Sequence, residues 1–430
     1  MNQKKIAIVG AGLCGSLMAV YFAKKGMRVD VFEYRKDLRL LDGSGGRSIN
    51  MALSHRGIEA LKKVDLFDRI KPHMIPMKGR FVHLQDGQTS FQPYGTQKDH
   101  VIYSISRKTL NEVLLDAAQE YASIHLHFEK KCTDYDVKTK KIMFEDQVSH
   151  QMLNKQYDYV FGTDGAFSKI RQAMMKTDRF NYSQDYIPQG YKELCIPAGK
   201  AGSFLMEKEV LHIWPRKKFM LIALPNTDGS FTVTLFLDFE GEPGFDDLTT
   251  KESVTAFLKR EFPDAYNLMN NVEEQFFENP TSSLATIRCY PWNVENYALI
   301  LGDAAHAVVP FFGQGMNASF EDVQLFFEQV QQHDLDVAIK TFSSLRKKDA
   351  DAIATMALEN FIEMRDSVSD PTYLQRRKIA QELERNDPER FKSRYTMVSF
   401  TSIPYAQVYQ KGIENQKIID EILANQNNSR

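Results

Sequence analysis

The chain has 430 residues with an apolar fraction of 43%, so it is long enough for two joined domains, and its 54 basic and 56 acidic residues give a net charge of -2. This balance gives no electrostatic reason to expect nucleic acid or an anionic membrane as a partner. The four scattered cysteines, a start without a leader pattern and the lack of an apolar run of about 18 residues argue against a disulfide scaffold and a membrane span, and predict a soluble cytoplasmic protein.

The first 35 residues predict a βαβ unit. An apolar strand over residues 5–9 leads into a glycine turn over 10–15, then a helix that reaches Lys25 and a second strand over 28–32.

The glycine turn, G-A-G-L-C-G, carries the chemistry of this unit. Gly10 permits the tight turn, Gly12 lets the backbone approach a pyrophosphate, and Gly15 permits close packing of helix on strand. Glu33, at the end of the second strand, would accept hydrogen bonds from the ribose hydroxyls of an adenosine. The pattern predicts a bound dinucleotide but does not choose between FAD and NAD.

In the rest of the chain the predicted secondary structure changes twice, from mixed helices and strands to strands and then to helices. In chain order we expect an irregular loop at 36–50, helices near 55–63 and 108–120, a strand at 157–162 that returns to the nucleotide-binding sheet, an antiparallel sheet at 175–285, a strand at 297–301, a long helix from about Asn317 and amphipathic helices from Asp334 onward.

Two later motifs each follow a predicted strand directly. They are G-T-D-G-A-F-S-K-I-R at 162–171 and L-I-L-G-D-A-A-H-A-V-V-P-F-F-G-Q-G-M-N at 299–317. Both resemble signatures of the flavoprotein aromatic hydroxylases, which implies that the dinucleotide is FAD. The second motif crosses the flavin in that family. The resemblance therefore places Asp303 at the ribityl chain and Gly315, Met316 and Asn317 at the isoalloxazine.

The residue types are compatible with this placement. Gly315 lets backbone amides approach a flat ring, and N–H groups at the start of the following helix could stabilise negative charge on a reduced flavin. The resemblance also implies cations near the pyrophosphate or the ring at Arg47 and Arg107. The predicted cofactor site further includes Leu13, Ala52 and Cys132.

Asp164 and His306, which lie in these motifs, are predicted to be structural, and the histidine pair at 125 and 127 is considered as a metal site. Asp164 suits a turn, although the resemblance places its motif near both flavin and nicotinamide. His306 lies in a motif so apolar that a structural histidine is favoured over a general base, and no catalytic residue is assigned. His125 and His127 would share one face of a strand without an acidic or cysteine partner at ligand spacing, so no metal site is predicted.

Further motifs resemble the kynurenine 3-monooxygenases within this family, and several lie outside the flavin site. They cover nearly the whole chain: G-R-S-I-N-M-A-L-S-H-R-G at 46–57, M-K-G-R-F-V-H at 77–83, Q-P-Y-G at 92–95, S-I-S-R at 104–107, G-Y-K-E-L at 190–194, H-I-W-P at 212–215, F-T-V-T-L-F-L at 231–237, A-L-E-N at 357–360, P-T-Y-L at 371–374 and R-Y-T-M-V-S-F at 394–400. The resemblance implies an FAD-dependent monooxygenase of tryptophan degradation. It would convert L-kynurenine to 3-hydroxykynurenine with NADPH and dioxygen through a flavin hydroperoxide.

The same resemblance implies a substrate pocket. It places the amino-acid end of the substrate against Arg80 and Tyr94, where a planar guanidinium and a hydroxyl suit a carboxylate. Asn360 and Tyr395 complete that pocket. In the loop across the flavin, Phe312 and Gln314 would close it against the substrate ring.

The predicted fold class is α/β: a Rossmann-type FAD-binding domain interleaved with an antiparallel β-sheet substrate domain, plus a C-terminal helical region. The expected domains are 1–175 with a substrate-side insertion near 70–105, the sheet domain 176–285, a return to the first domain at 286–340, and a helical lid at 341–430. Because a second dinucleotide fingerprint is missing, NADPH is expected to dock transiently. The tail at 411–430 is polar, so we expect no stable membrane attachment, unlike eukaryotic members of the family.

Three alternatives stay open at this point. A sister hydroxylase of another aromatic acid would keep the carboxylate clamp but not the amine contact at Asn360. A non-catalytic flavin-binding redox protein would bind FAD without oxidising nicotinamide in response to substrate. A saturating flavin reductase would need a lipid-sized tunnel, which Arg80 and Tyr94 disfavour. The oligomeric state is not predicted.

Overall fold

The computed structural model describes residues 4–41, 50–364 and 371–428, which form four sheets and the helices around them. Arg47, one of the predicted cofactor residues, lies outside these ranges. The strands are β1 (Ile6–Val9), β2 (Val29–Phe32), β3 (Asn50–Leu53), β4 (Met74–Met77), β5 (Gly79–His83), β6 (Thr89–Pro93), β7 (Ile102–Ser106), β8 (Ile124–His127), β9 (Lys130–Asp136), β10 (Lys141–Asp146), β11 (Met152–Gln156), β12 (Tyr159–Gly162), β13 (Asn181–Ile196), β14 (Leu211–Arg216), β15 (Phe219–Pro225), β16 (Phe231–Asp238), β17 (Ser282–Tyr290), β18 (Asn293–Val294) and β19 (Ala298–Ile300).

The helices are most frequent in the last third of the chain, among the described residues. They are α1 (Leu13–Lys24), α2 (His55–Lys62), α3 (Phe67–Ile70), α4 (Arg107–Gln119), α5 (Lys169–Met174), α6 (Lys251–Glu261), α7 (Pro263–Tyr266), α8 (Val272–Glu278), α9 (Asp303–His306), α10 (Gly315–Gln332), α11 (Leu335–Ile362), α12 (Pro371–Asn386), α13 (Arg394–Phe400) and α14 (Tyr405–Asn428).

The first sheet has the order β18-β19-β12-β1-β2-β8, and its strands are parallel except for β18. Strand β1 lies between β12 and β2, and all four of its residues are buried. A strand covered on both faces must be apolar throughout, which is why I-A-I-V does not alternate. The predicted return of residues 157–162 to this sheet is confirmed, because β12 pairs directly with β1.

The second large sheet has the order β17-β13-β16-β15-β14-β5-β6. It contains the antiparallel strands predicted between 175 and 285, with one difference. Strand β5 arrives from the first domain rather than through a hairpin, and it pairs parallel with β14. The structure also forms helices α6, α7 and α8 within this stretch, where only a sheet was predicted. Their buried side chains, among them Val254, Phe257 and Leu258, pack on one face of the sheet.

The other face of this sheet packs against the C-terminal helices. Ile213, Met220 and Phe236 share a core with residues from α11, α13 and α14. Helix α11 runs across the boundary predicted between 340 and 341, because its early residues pack with the first sheet and its later residues with this second core. The predicted α/β class, with an interleaved sheet domain and a C-terminal helical region, is confirmed.

Candidate active site

The glycine turn follows β1 and opens helix α1. Gly10 has a φ of 101°, and a Cβ there would lie 2.5 Å from the carbonyl oxygen of Thr163. A Cβ at Gly15 would overlap the carbonyl oxygen of Gly10. Gly12 differs, because a Cβ there would meet no atom within 4 Å. The turn therefore packs tightly on the protein side and leaves open space beside Gly12 at the start of the helix.

The helix that begins at Leu13 has no side-chain cap at its N-terminus. Its first N–H groups and the helix dipole suit an anion such as a pyrophosphate. Glu33 lies at the same turn, where its carboxylate accepts hydrogen bonds from the backbone N–H of Ala11 at 2.9 Å and of Arg35 at 3.1 Å. These contacts fix the carboxylate beside the open side of the turn.

Two further predicted cofactor residues are Asp303 and Cys132. Asp303 is exposed at the first position of α9. Burial, followed by the charges of Asp322 and Asp303, raises the pKa of Cys14 in α1. Cys132, on β9, is buried, and burial followed by the charge of Asp164 raises its pKa. Asp303 and Cys132 are thus within electrostatic range of the N-terminal motif or of the motif at 162–171.

Asp164 holds a turn, as expected. One carboxylate oxygen accepts the backbone N–H groups of Lys169 at 2.7 Å and Ile170 at 3.3 Å. Burial raises the pKa of Asp164. Its second oxygen is buried and has no hydrogen-bond partner among the described residues, so one acceptor remains for a ligand or a water.

Helix α10 begins at Gly315, and its N-terminus is a second open backbone surface. The first hydrogen bond into the helix comes from Ala318, whose N–H donates to the Gln314 carbonyl at 2.8 Å, which leaves the N–H groups of residues 315–317 outside the helical pattern. A Cβ at Gly315 would come no closer than 3.7 Å to Val308. A flat ring could therefore approach these amides. Met316 is buried in the core behind them.

The Asn317 side chain braces this surface rather than facing it. Its amide nitrogen donates to the carbonyls of Ala52 and Gly313, each at 2.8 Å, and its oxygen accepts the Ser54 N–H at 2.9 Å. These bonds tie β3 to the turn before α10. The Asn317 side chain is therefore occupied by its contacts with the protein, and its backbone N–H is the group that stays at the open start of the helix. Arg107 is exposed at the first position of α4, which follows β7.

Together these surfaces fit the extended dinucleotide that the sequence implies. They offer an uncapped helix start beside Gly12, a fixed carboxylate at Glu33, and a second helix start at Gly315.

His306 is structural in its setting. Its Nε2 contacts a carboxylate oxygen of Asp322 at 2.5 Å, and Arg346 donates to the other oxygen at 2.7 Å. Burial alone would raise the pKa of Asp322, but His306 and Arg346 together lower it. Arg346 also pairs with Glu321, which pairs in turn with Arg56. This buried network links α9, α10, α11 and α2.

A cavity of about 510 Å³ lies between the second sheet and the C-terminal helices. Five of the six predicted substrate residues line it: Arg80, Tyr94, Phe312, Asn360 and Tyr395. They come from four separate stretches of the chain.

Arg80, on β5, is the buried cation of this cavity. It is 8% exposed, and its guanidinium lies 5.2 Å from the ring centroid of Tyr395 and 5.9 Å from that of Tyr94. Burial would lower its pKa, but Tyr395 and other oxygen-bearing neighbours together raise it. Within the described residues Arg80 has no carboxylate at ion-pair distance, and its Nε has no acceptor.

Aromatic rings form the wall beside Arg80. Tyr94 and Tyr395 stack with centroids 5.1 Å apart, and Phe312 stacks on Tyr395 at 5.7 Å. Burial raises the pKa of Tyr94, so its hydroxyl stays protonated. That hydroxyl lies near Tyr395 and Arg80 but makes no well-aligned hydrogen bond among the described residues.

Asn360 and Gln314 differ from the prediction in where their amides point. Asn360 lines the cavity, but its nitrogen donates to the Phe311 carbonyl at 2.8 Å. Gln314 does not line the cavity. Its amide lies between the hydroxyls of Ser54 and Tyr405, which satisfy a side chain that is only 2% exposed.

Sequence reasoning missed several polar residues of the cavity, including the three that follow. Arg377 in α12, Glu363 and Tyr373 line it, and the Tyr373 hydroxyl donates to Glu363 at 2.7 Å. Burial and then the charge of Arg80 lower the pKa of Arg377. Tyr373 lies within the motif P-T-Y-L, Glu363 lies three residues after A-L-E-N, and Arg377 lies three residues after P-T-Y-L. These motifs pointed to this part of the chain, but none of the three residues was assigned a role.

Neither a metal centre nor a membrane span is found in the described part of the chain. His125 and His127 both lie near Asp30, at 3.8 and 3.3 Å, but no group of three or more His, Cys, Asp or Glu side chains in residues 4–41, 50–364 and 371–428 is arranged so that it could hold a metal ion. None of the helices formed by these residues combines the length and the apolar character that crossing a bilayer requires.

Comparison with known proteins points to one family. A family profile described as FAD binding domain matches residues 3–332. The chain is 44% identical over 422 residues to the kynurenine 3-monooxygenase of Myxococcus xanthus, covering 98% of this chain and 91% of that protein. It is 43% identical over 428 residues to that of Flavobacterium psychrophilum, with 99% and 95% covered, and 42% identical over 435 residues to that of Dictyostelium discoideum, with 98% and 93% covered.

Solved structures share the fold at low sequence identity. PqsL of Pseudomonas aeruginosa, solved in complex with 2-aminobenzoylacetate, superposes with a TM-score of 0.67 at 17% identity, covering 85% of this chain and 97% of that one. The 2-methyl-3-hydroxypyridine-5-carboxylic acid oxygenase superposes at 0.65 with 15% identity, covering 87% and 96%.

Proposed function

Because the chain belongs to the kynurenine 3-monooxygenase family of FAD-dependent hydroxylases, we propose that it hydroxylates the aryl ring of L-kynurenine with NADPH and dioxygen. The balanced reaction takes L-kynurenine, NADPH, a proton and O2 to 3-hydroxykynurenine, NADP+ and water. When bound, FAD supplies the transfer of electrons from nicotinamide to dioxygen and the delivery of one oxygen atom to the ring.

The observation that carries the substrate assignment is Arg80. A buried guanidinium with an unused donor is costly unless an acceptor reaches it. A substrate carboxylate supplies that acceptor and can take two parallel hydrogen bonds from the planar fork. The Tyr94 hydroxyl, which is also buried without a well-aligned partner in the described part of the chain, adds a donor to the same carboxylate.

The remaining wall suits an aromatic amino acid. Phe312 and Tyr395 present stacked faces on which an aryl ring can pack. The Glu363 carboxylate lines the same cavity and can accept hydrogen bonds from an ammonium group. A carboxylate, an ammonium and an aryl ring would thus each meet a complementary side chain.

The cofactor would be held by the surfaces described above. Gly12 and the start of α1 would take the pyrophosphate, Glu33 the ribose, and the N–H groups at the start of α10 the flavin ring. These N–H groups would stabilise negative charge on the ring. All four cysteines are free thiols, which supports a reducing compartment such as the cytoplasm.

The test is nicotinamide oxidation by the FAD-loaded protein with and without L-kynurenine, with NADPH and NADH compared and the product mass recorded. We expect NADPH oxidation to rise with kynurenine and the product to gain one oxygen atom. Arg80→Met should lower kcat/KM about a hundredfold, because the substrate carboxylate loses its buried cation.

Arg376→Met is the matched control. Arg376 lines the same cavity, but its guanidinium is paired with Asp420 and Gln416. We expect a much smaller loss from this change. Oxidation that ignores kynurenine but responds to another aromatic acid would indicate a sister hydroxylase. Oxidation that responds to neither would leave a flavin-binding redox protein.

A further inference from the structure

Residues 310–314 form the loop that connects the cavity to the proposed flavin surface. Phe312 lines the cavity, and helix α10 begins directly after Gln314. The loop turns at Gly313, which has a φ of 64°. Its conformation therefore sets both the aromatic wall against the substrate and the direction of the first N–H groups of α10.

The C-terminal helices hold this loop at two points. From α11, Asn360 donates to the Phe311 carbonyl at 2.8 Å. From the first residue of α14, the Tyr405 hydroxyl donates to the Gln314 side-chain oxygen at 2.8 Å. The Gln314 nitrogen contacts the Ser54 hydroxyl at 3.3 Å, so both ends of its amide are engaged.

The surroundings of Tyr405 hold its ring in place and keep its hydroxyl protonated. Tyr405 is fully buried, and its ring lies 3.8 Å from the Arg56 guanidinium and 5.7 Å from that of Arg346. Burial raises its pKa above the ordinary value, so the hydroxyl remains a donor at working pH. The two guanidiniums hold the ring in place while the hydroxyl holds Gln314.

Helix α14 also contributes to the cavity wall. Gly412, Asn415 and Ile419 line the cavity one or more turns beyond Tyr405. The hydrogen bond from Tyr405 to Gln314 therefore connects α14, which lines the cavity, to the loop at 310–314, which borders the proposed flavin surface.

We propose that Tyr405 is a positioning residue for the hydroxylation, and that its bond to Gln314 keeps the loop at 310–314 in the conformation that the reaction needs. This inference rests on the proposed function. Tyr405 does not reach the cavity itself, so it acts through Gln314 and Phe312. Substrate binding at Arg80 does not depend on it, whereas the alignment of the substrate ring with the oxygen donor does.

The experiment uses Tyr405→Phe in the FAD-loaded protein, which removes one hydroxyl and keeps the ring between the two guanidiniums. Without substrate, we expect the backbone amides of residues 311–318 to exchange with deuterium about fivefold faster, as the loss of one buried hydrogen bond implies. With L-kynurenine, we expect the yield of product per NADPH to fall at least about twofold and hydrogen peroxide to rise. The Kd for kynurenine should change less than about twofold.

Tyr21→Phe is the matched control. Tyr21 is buried, and its hydroxyl donates to the Ala60 carbonyl at 2.8 Å, away from the loop. It should leave exchange at 311–318 and coupling unchanged. Gln314→Met should show at least the Tyr405→Phe effects, because it removes the same bond and also the contact with Ser54. The double variant should be no worse than Gln314→Met alone, because the bond that Tyr405→Phe removes is already lost.

Unchanged exchange and coupling in Tyr405→Phe would overturn the proposal. Equal effects in Tyr21→Phe would also overturn it, since the cause would then be general loosening. The exchange measurement needs no substrate. A failure of kynurenine as the substrate would therefore remove the coupling result but leave the loop result readable.

Discussion

Gly12 and Gly15 belong to one turn but meet different surroundings. A Cβ at Gly15 would overlap the Gly10 carbonyl, whereas a Cβ at Gly12 has no protein atom within 4 Å. Gly12 has a φ of -71°, which alanine adopts freely. A Cβ at Gly12 would thus project into open space, where the proposed pyrophosphate would lie.

This contrast predicts opposite phenotypes for two alanine variants. Gly12→Ala should leave the unfolding free energy of the FAD-free protein within about 0.5 kcal/mol of the original and weaken FAD binding at least about tenfold. Gly15→Ala should lower the unfolding free energy by about 2–4 kcal/mol, because the helix must move off the strand. Urea unfolding of the FAD-free protein and FAD titration by flavin fluorescence measure the two effects. Normal FAD affinity in Gly12→Ala would contradict the placement of the pyrophosphate.

Asn317 shows what a motif can and cannot reveal about one residue. The motif placed Asn317 at the flavin, but its amide joins Ala52, Gly313 and Ser54. Asn360 and Gln314 likewise direct amide atoms at backbone or hydroxyl partners. Five of the six predicted substrate residues line one cavity, whereas Gln314 does not. The direction of each amide depends on partners far away in the chain, which no local pattern contains.

Asn317→Asp tests the brace. A carboxylate would place an oxygen against the carbonyls of Ala52 and Gly313, where the amide now donates, so we expect the unfolding free energy to fall by about 3 kcal/mol and FAD to bind more weakly. Urea unfolding with and without FAD gives both quantities. Asn267→Asp, at an exposed helix end, is the control and should change neither. Equal stability in the two variants would show that the brace contributes little.

At the scale of elements, a chain of buried polar groups ties β5 to its neighbours. His212 on β14 contacts the Glu207 carbonyl through Nε2 at 2.8 Å and His83 on β5 through Nδ1 at 2.9 Å. A carbonyl only accepts, so Nε2 of His212 donates and its Nδ1 accepts from His83. The other nitrogen of His83 contacts Asp264 at 2.8 Å. This chain holds the strand that carries Arg80.

These buried histidines make the free energy of unfolding depend on pH. Burial lowers the pKa of His212 from 6.5 to about 4, so the folded protein keeps this ring neutral while the unfolded chain takes up a proton. Stability is therefore full above pH 6.5 and falls as the pH drops from 6.5 towards 4, by up to roughly 3 kcal/mol. His212→Phe should lower stability at pH 7 but remove most of this slope. Urea unfolding between pH 4 and 7.5 measures it, and an unchanged slope would assign the pH dependence elsewhere.

Local sequence patterns predicted most elements but not their long-range pairing. The antiparallel sheet predicted at 175–285 is formed there by β13, β14, β15, β16 and the start of β17. The helices at 251–278 were missed, although Val254, Phe257 and Leu258 follow a helical spacing. The parallel pairing of β5 with β14 joins segments about 130 residues apart, and no turn signal announces it.

At the scale of the whole molecule, helix α11 shows why a boundary drawn along the sequence differs from the structure. Phe342 belongs to the core around the first sheet, and Ile353 and Phe361 belong to or border the core around the second. Helix α11 therefore packs against both cores, and no change in amino-acid composition marks the point where it passes from one to the other. The cavity likewise draws residues from β5, the loop at 310–314 and helices α11 to α14, so only the assembled fold creates it.

The cavity brings two cations together, and this predicts how a ligand stabilises the whole molecule. Arg80 comes from β5 and Arg377 from α12, and burial followed by the charge of Arg80 lowers the pKa of Arg377. The two positive charges repel each other across the cavity, and a carboxylate bound between them would reduce that repulsion. L-Kynurenine should therefore raise the unfolding free energy of the FAD-loaded protein by about 2.7 kcal/mol at a hundredfold excess over its Kd.

Two comparisons test whether the cations hold the carboxylate. Arg377→Met should reduce this gain at the same ligand concentration. Decarboxylated kynurenine, which keeps the amine but lacks the carboxylate, should stabilise the original protein little or not at all. Thermal unfolding at matched ligand concentrations measures the gain, and equal stabilisation by the decarboxylated compound would show that the two cations do not hold the carboxylate.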